Sequence, residues 1–143
     1  MPLRLVPDTN VLISALLWDG RARAIVEAAR RGLVELYSSA ALIAELEEKL
    51  AHPKFARRIA AAKATPAALL IEARSVLTVI ETDILVPLAV RDPDDLVVLA
   101  AAFAARADVL VTQDKDLLDL RLAAEFAIMN VDEVFWTLGL TTP

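Results

Sequence analysis

Residues 92–114, DPDDLVVLAAAFAARADVLVTQD, contain the pattern that decides the fold. Asp92 fits the N-cap of a helix, Pro93 fits its first position, and the apolar residues that follow predict a helix that runs to about Arg106. The run Val109–Val111 is aliphatic and β-branched, which is typical of a buried strand. An apolar helix that leads straight into a buried strand predicts a sheet covered by helices.

Strands and helices also alternate on both sides of this segment. The other predicted strands span residues 3–7, 33–37, 76–80 and 126–129, and residues 84–90 are predicted to be extended. The other predicted helices span residues 11–17, 22–31, 54–63, 66–75, 117–120 and 131–138, with one more that is capped at Ser38 or Ser39 and runs to about residue 51. This alternation predicts one α/β domain over residues 1–143, a three-layer α/β/α sandwich around a mostly parallel sheet.

The composition and charge restrict the class of protein. The chain has 143 residues, no cysteine and one histidine, and its formal net charge is −5. This charge argues against passive binding of nucleic acid, but not against an enzyme that holds cations. The missing cysteines exclude disulfides and thiolate metal sites, and with a single histidine a zinc site is not expected. Two groups of basic residues are expected to be solvated helix faces: Arg21, Arg23, Arg30 and Arg31, and Lys54, Arg57, Arg58 and Lys63.

No segment predicts a membrane span or a secretion signal. The most apolar run, residues 96–105, is about half as long as a helix that crosses a bilayer. The N-terminus begins directly with an apolar strand, without the basic and long apolar regions of a signal peptide. A cytoplasmic protein without a membrane partner is therefore expected.

Acidic residues follow two of the predicted strands. Asp8 comes directly after the first strand, and Asp114 lies just beyond the strand Val109–Val111. A third acidic group, residues 92–95, opens the helix before that second strand. Because sites in open parallel sheets form beyond the carboxyl ends of the strands, these carboxylates are expected to meet in one pocket. A hard divalent cation such as Mg²⁺ or Mn²⁺ would relieve their repulsion and could promote hydrolysis of a phosphodiester.

Four segments resemble the sequences of PIN-domain proteins: VPDTNVLISALL (residues 6–17), SSAALIAELEEKLAHPKF (38–55), RDPDDLVVLAAAFAARADVLVTQDKDLLDL (91–120) and IMNVDEVFWTL (128–138). More narrowly, they resemble the toxin components of toxin–antitoxin systems, relatives of VapC toxins. The resemblance covers nearly the whole chain in the family's order. It implies an α/β/α fold, a ribonuclease that hydrolyses RNA with Mg²⁺ or Mn²⁺, and a homodimer that a small antitoxin protein neutralises.

The resemblance also implies which residues form the site. The residues that match the family's catalytic acids are Asp8, Glu45, Asp95 and Asp114, of which Asp8, Asp95 and Asp114 are expected to ligate the metal. The residues expected to support the site are Thr9, Asn10, Asp94, Thr112 and Asp116. The chain departs from the family's pattern at two positions, with Leu96 where relatives often carry a polar residue and Gln113 where they commonly have glycine.

Each assignment has a structural alternative. Asp8 and Asp114 could cap the helices that follow them, and capping alone explains Asp92. Glu45 could be a surface partner of Lys49, four residues further along the same helix. A second glutamate, at position 47, flanks the same apolar stripe of that helix on its opposite edge. Trp18 and Trp136 are expected to pack or to lie at an interface rather than to stack on bases.

Two other functions are compatible with parts of this pattern. A PIN-like module without catalytic activity would act through protein contacts and need not bind metal. A phosphatase of the haloacid-dehalogenase type also places an aspartate after its first strand, but it needs a second aspartate where this chain has Asn10. The ribonuclease is therefore the first hypothesis and the interaction module the second.

Overall fold

The computed structural model describes residues 1–82, 86, 88, 90, 92–121 and 124–142. The strands in these ranges are β1 (Leu3–Pro7), β2 (Val34–Ser39), β3 (Leu77–Ile80), β4 (Val109–Val111) and β5 (Ala127–Met129). The helices are α1 (Thr9–Leu17), α2 (Arg21–Arg30), α3 (Ala40–Leu50), α4 (Ala56–Ala61), α5 (Pro66–Val76), α6 (Pro93–Ala104), α7 (Lys115–Leu118) and α8 (Val131–Thr137), with a 3-10 turn at Pro53–Phe55. None of the helices within these ranges combines the length and the apolar character that crossing a bilayer requires.

The five strands form one parallel sheet in the order β3-β2-β1-β4-β5. β1 is the central strand, and its Leu5 lies opposite Leu36 on one side and Val109 on the other. The chain builds outward from β1 to β3 and then returns to the centre to place β4 on the other side of β1. The strand order therefore reverses between β1 and β4, and in open parallel sheets a crevice opens at that point beyond the strand ends.

The two faces of the sheet are covered by separate layers of helices. Leu5 points into a core that includes buried residues of α1 to α5 and of α8. Its neighbour Val6 and the strand residue Leu110 point the other way, into a second core with the buried side of α6 and with Leu117 of α7. Alternate residues of a strand face opposite sides of a sheet, so β4 and the buried part of β1, residues 5–7, are apolar throughout. The predicted three-layer α/β/α fold is confirmed.

The predicted bounds of β1 and β4 are confirmed, whereas two helices begin two residues earlier than predicted. α1 starts at Thr9 rather than at residue 11, because Asp8 caps it. α7 starts at Lys115 rather than at residue 117, because the carboxylate of Asp114 accepts the N–H of Asp116. The predicted extended segment 84–90 falls largely outside the described residues.

Candidate active site

The candidate site lies at the crevice where the strand order reverses. The N–H of Asp8 donates to the carbonyl oxygen of Val111 at 2.8 Å, so the hydrogen bonds between β1 and β4 continue one residue beyond β1. On the other side of β4, the N–H of Thr112 donates to the carbonyl oxygen of Met129 at 3.0 Å. These bonds fix the backbone that carries the first acid relative to the loop that carries Asp114.

A buried threonine connects those two acids. The hydroxyl of Thr112 donates to Oδ2 of Asp8 at 2.9 Å and accepts the N–H of Asp114 at 3.0 Å. The other carboxylate oxygen of Asp8, Oδ1, accepts the N–H of Thr9 at 2.8 Å. Both oxygens of Asp8 are therefore held by protein donors, and the carboxylate has one fixed orientation. A carboxylate held in this way is prepared for a ligand before the ligand arrives.

Asp95 is the buried acid of the site. It lies in the first turn of α6, where only 8% of its surface is exposed. Desolvation by burial, followed by the negative charges of Asp114, Asp92, Asp116 and Asp8, raises the pKa of Asp95 to about 6. The structure thus brings the acids of α6, β1 and the β4–α7 loop close enough together for each to act on Asp95. A counter-charge would therefore stabilise the ionised form of Asp95.

Asp92 confirms the capping interpretation at the start of α6. Its Oδ1 accepts the N–H of Asp94 at 2.9 Å, and its carbonyl oxygen accepts the N–H of Asp95 at 3.1 Å. This capped turn places Asp95 on the inner side of the helix and leaves the side chain of Asp94 exposed. The charge of Asp92 also raises the pKa of Asp95, which agrees with the expectation that the acidic group at residues 92–95 contributes to the site.

Glu45 is not among the acids that raise the pKa of Asp95. Its Oε1 is 3.0 Å from Nζ of Lys49, one turn further along α3, so the ion pair offered as the alternative is present. The same Nζ donates to Oδ1 of Asn10 at 3.4 Å, and Asn10 belongs to the first turn after Asp8. Lys49 therefore links Glu45 to α1 next to the cluster, and Glu45 stands at the edge of the site rather than in its centre.

The residues that were expected to support the site make different kinds of contact. Thr9 acts through its backbone N–H, and its hydroxyl, which is buried, has no hydrogen-bond partner among the described residues. The side chain of Asn10 faces Lys49. The N–H of Asp116 donates to Oδ1 of Asp114 at 2.8 Å, which caps α7 and brings the charge of Asp116 near Asp95. Thr112 has the most direct role, because it touches both strand-end acids.

The acids fit a hard divalent ion that keeps part of its hydration shell. The donors are all oxygens, and the repulsion that raises the pKa of Asp95 is what a cation would relieve. Within the described ranges, no three acidic or histidine side chains lie close enough to one another to hold one ion. Mg²⁺ commonly binds through one or two carboxylates with water as its other ligands, and the spacing here suits that mode.

Two residues near the site were missed by sequence analysis. Lys49 was considered only as a partner of Glu45, and its contact with Asn10 spans 39 positions, which no local spacing reveals. Gln113 was noted only as a departure from the family's pattern. Its Oε1 accepts the N–H of Val131 at 3.1 Å and so ties the β4–α7 loop to the start of α8.

Thr112→Val should destabilise the protein by about 1–3 kcal/mol, because Asp8 would lose a donor and the N–H of Asp114 an acceptor at a partly buried position. Affinity for Mn²⁺ should fall about 10-fold to 100-fold, since Thr112 orients the acids. Urea unfolding and titration calorimetry measure the two effects. Thr112→Ser keeps the hydroxyl and should stay close to wild type in both. A valine variant with wild-type stability and affinity would contradict this role of the hydroxyl.

Comparison with known proteins places this fold and site in a family. The model of the PIN domain family matches residues 4–116, which include all the acids described above. No relative was found among curated proteins.

Two solved structures share the fold. One is VapBC2 from Rickettsia felis, solved bound to a DNA fragment from its promoter, with 16% identity, a TM-score of 0.63, and coverage of 90% of this chain and 98% of that chain. The other is PAE2754 from Pyrobaculum aerophilum, with 22% identity, a TM-score of 0.52, and coverage of 96% of this chain and 90% of that chain. At such identities the likeness concerns the fold alone, whereas the family model spans most of the sequence. The chain therefore belongs to the PIN domain family.

Proposed function

We propose that this chain is a divalent-metal-dependent endoribonuclease that acts as the toxin of a toxin–antitoxin pair. The observation that carries the proposal is the meeting of Asp8, Asp95 and Asp114 at the crevice between β1 and β4, with Asp95 raised in pKa by burial and by its acidic neighbours. PIN domains are generally nucleases, and a cluster of carboxylates that needs a cation is the kind of site that nucleases use.

One or two of these three acids would ligate Mg²⁺ or Mn²⁺ directly, and the remaining acid would act through the water that the ion keeps. A bound divalent ion supplies positive charge to the phosphate under attack and makes water a better nucleophile at neutral pH. Asp8 enters the reaction with its orientation already fixed by Thr9 and Thr112. Asp95, buried and surrounded by acids, provides the strongest attraction for a cation.

Residues at the edge of the site would position the RNA and balance its charge. Lys49 carries the positive charge nearest to Asn10 and Glu45, and can interact with a phosphate when it leaves the carboxylate. Asp116 and Asp94 lie on the exposed side of the cluster and can hold water of the ion's hydration shell. Hydrolysis forms a bond between a water oxygen and phosphorus and breaks one phosphorus–oxygen ester bond of the RNA.

The proposal includes the partners that the VapC resemblance implies. The chain would act as a single domain over residues 1–143, as a homodimer in the cytoplasm, and a small antitoxin protein would block its acidic crevice. The likeness in fold to VapBC2 supports this relationship. A neighbouring gene for a short protein with a DNA-binding segment would support it further.

A labelled single-stranded RNA tests the proposal directly. Cleavage should require Mg²⁺ or Mn²⁺ and should stop when EDTA is added. Glu45→Gln should lower the rate about tenfold, equivalent to about 1.4 kcal/mol at an edge position. Glu48→Gln is the matched control, because Glu48 lies exposed on the same helix, and its rate should equal that of wild type. Cleavage that continues in EDTA would contradict the metal site, and a protein that neither cleaves RNA nor binds Mn²⁺ would be an interaction module.

A further inference from the structure

A groove of about 340 Å³ lies beside the acidic cluster. It is formed where the end of α1, the start of α2 and the start of α8 meet the β4–α7 loop. The side chains in it that carry aromatic, charged or hydrogen-bonding groups are Ser14, Trp18, Arg21, Gln113 and Asp132. The nuclease mechanism proposed above uses none of them.

Trp18 gives the groove a fixed aromatic surface. This large side chain follows α1 and is 44% exposed, so it is not a core residue. The guanidinium group of Arg58 lies 5.4 Å from the centroid of its ring, and Nε of Arg58 donates to the carbonyl oxygen of Leu17 at 2.7 Å. A ring that is covered by a fixed arginine and also lines a groove is suited to stacking on a flat ligand.

Arg21 gives the groove a fixed positive charge. Its Nη1 is 3.0 Å from Oδ1 of Asp132, and its guanidinium group lies 5.1 Å from the ring centroid of Phe135 and 4.9 Å from that of Trp136. The carboxylate and the two rings hold the arginine in place. In a chain of net charge −5, a fixed cation this near the active site is well placed to attract a phosphate that flanks the ligand.

Gln113 joins the groove to the acids. It lies between Thr112 and Asp114, and its Oε1 is occupied by the N–H of Val131. Its amide nitrogen can donate to a ligand in the groove. A group bound beside Gln113 would therefore contact the residue that precedes Asp114 in the β4–α7 loop.

We propose that this groove is a subsite for an unpaired nucleobase of the RNA on one side of the cleaved phosphate, separated from it by about the length of α1, since Asp8 and Trp18 lie at opposite ends of that helix. The base would stack on Trp18 and bond to Gln113 at its edge, while Arg21 faces a flanking phosphate. The subsite rests on the proposed function, since it assigns the substrate of the same site. An RNA segment is favoured over a protein segment because the groove offers a flat aromatic ring and a fixed cation, and because its Gln113 is the neighbour in sequence of Asp114.

Binding of a 5′-fluorescein-labelled single-stranded RNA of 12 nucleotides tests the subsite. In an Asp8→Asn background, which keeps the RNA intact, Trp18→Ala should weaken binding about 5-fold to 100-fold, the range for loss of one base–aromatic stack. Trp18→Phe keeps an aromatic ring and should bind within about threefold of the Asp8→Asn parent, by the same reasoning. Ile71→Ala is the control. It truncates an exposed apolar side chain on α5, distant in sequence from Trp18, and should leave binding unchanged.

Two further readouts separate this proposal from the nuclease proposal. With Asp8 intact, Trp18→Ala should raise KM for the RNA and leave kcat nearly unchanged. In a Trp136→Phe variant, where Trp18 is the one tryptophan of the chain, RNA should quench the tryptophan fluorescence. If wild type cleaves RNA with metal but Trp18→Ala matches it in affinity and KM, the subsite is wrong while the nuclease stands, and the groove would be a contact for protein. If wild type neither binds nor cleaves RNA, both proposals are wrong.

Discussion

Asp8→Asn should lower the rate of RNA cleavage at least 100-fold and leave the fold in place. The asparagine keeps an oxygen that can accept the N–H of Thr9, and its amide can still bond to the hydroxyl of Thr112. What disappears is the negative charge in the centre of the crevice. A contribution of about 3 kcal/mol to the reaction corresponds to about a 100-fold change in rate, and loss of one ligand to the ion should cost at least that much.

Initial rates on labelled RNA at saturating Mg²⁺ measure this loss, and thermal unfolding of the variant checks the fold. Glu48→Gln removes one negative charge from an exposed position and serves as the charge-matched control. An Asp8→Asn protein that cleaves within a few-fold of wild type would exclude Asp8 from the site. Asp8 would then serve only as the N-cap of α1.

Asp95→Asn should abolish cleavage to a similar degree and, in contrast, make the metal-free protein more stable at neutral pH. Asp95 has its pKa raised to about 6, from an ordinary value of 3.8, by burial and by four neighbouring aspartates. A tenfold change in proton affinity is worth about 1.4 kcal/mol, so ionising Asp95 in the folded state costs up to about 3 kcal/mol. Asparagine has no charge to bury and removes this cost.

The pH dependence of the free energy of unfolding shows whether the higher stability of Asp95→Asn comes from the charge of Asp95. Since the pKa of Asp95 is higher in the folded than in the unfolded state, the folded state holds the extra proton between about pH 4 and pH 6. The stabilisation of the folded state by protonated Asp95 is therefore full below that pH window, and it is lost as the pH rises through about 6. Urea unfolding in EDTA should therefore show wild type less stable than Asp95→Asn by about 1–3 kcal/mol at pH 7.5, and by much less near pH 4.

Comparing the two proteins at each pH removes the effect of other groups. The pKa of Glu133, for example, is lowered by its hydrogen bond from the backbone N–H of Asn130 and by Arg121. Its contribution has the opposite sign, being present at neutral pH and lost as the pH falls, and it is the same in both proteins. A stability difference between wild type and Asp95→Asn that does not vary with pH would contradict the raised pKa.

The strands and their terminal acids could be predicted because their signals are local. β1 and β4 are short aliphatic runs that end at polar residues, and the structure has them at the predicted bounds. The bounds of α7 were predicted less well, because Lys115 and Asp116 carry no apolar periodicity and the helix depends on the cap at Asp114. Capping is a side-chain contact, and a hydrophobic pattern does not reveal it.

The contacts that organise the site depend on which strands are neighbours. Thr112 can reach Asp8 only because β4 lies beside β1 with Val111 opposite Pro7. Nothing in the sequence near residue 112 indicates that register. The resemblance to PIN domains supplied the identity of the acids, whereas the bridging role of Thr112 and the place of Lys49 required coordinates. The same is true of Trp18, whose exposed ring was expected to be a packing or interface residue.

The central place of β1 has a consequence for how the protein is made. β1 is synthesised before β4, yet β4 is one of its two neighbours in the sheet, and the hydrogen bond between Thr112 and Asp8 joins residues 104 positions apart. At about 5–20 residues per second, the first acid waits roughly 5–20 s for the strand that completes its surroundings. A nascent chain that stalls before β4 carries Asp8 without the other half of the crevice, so the site cannot form until β4 and Thr112 have been made.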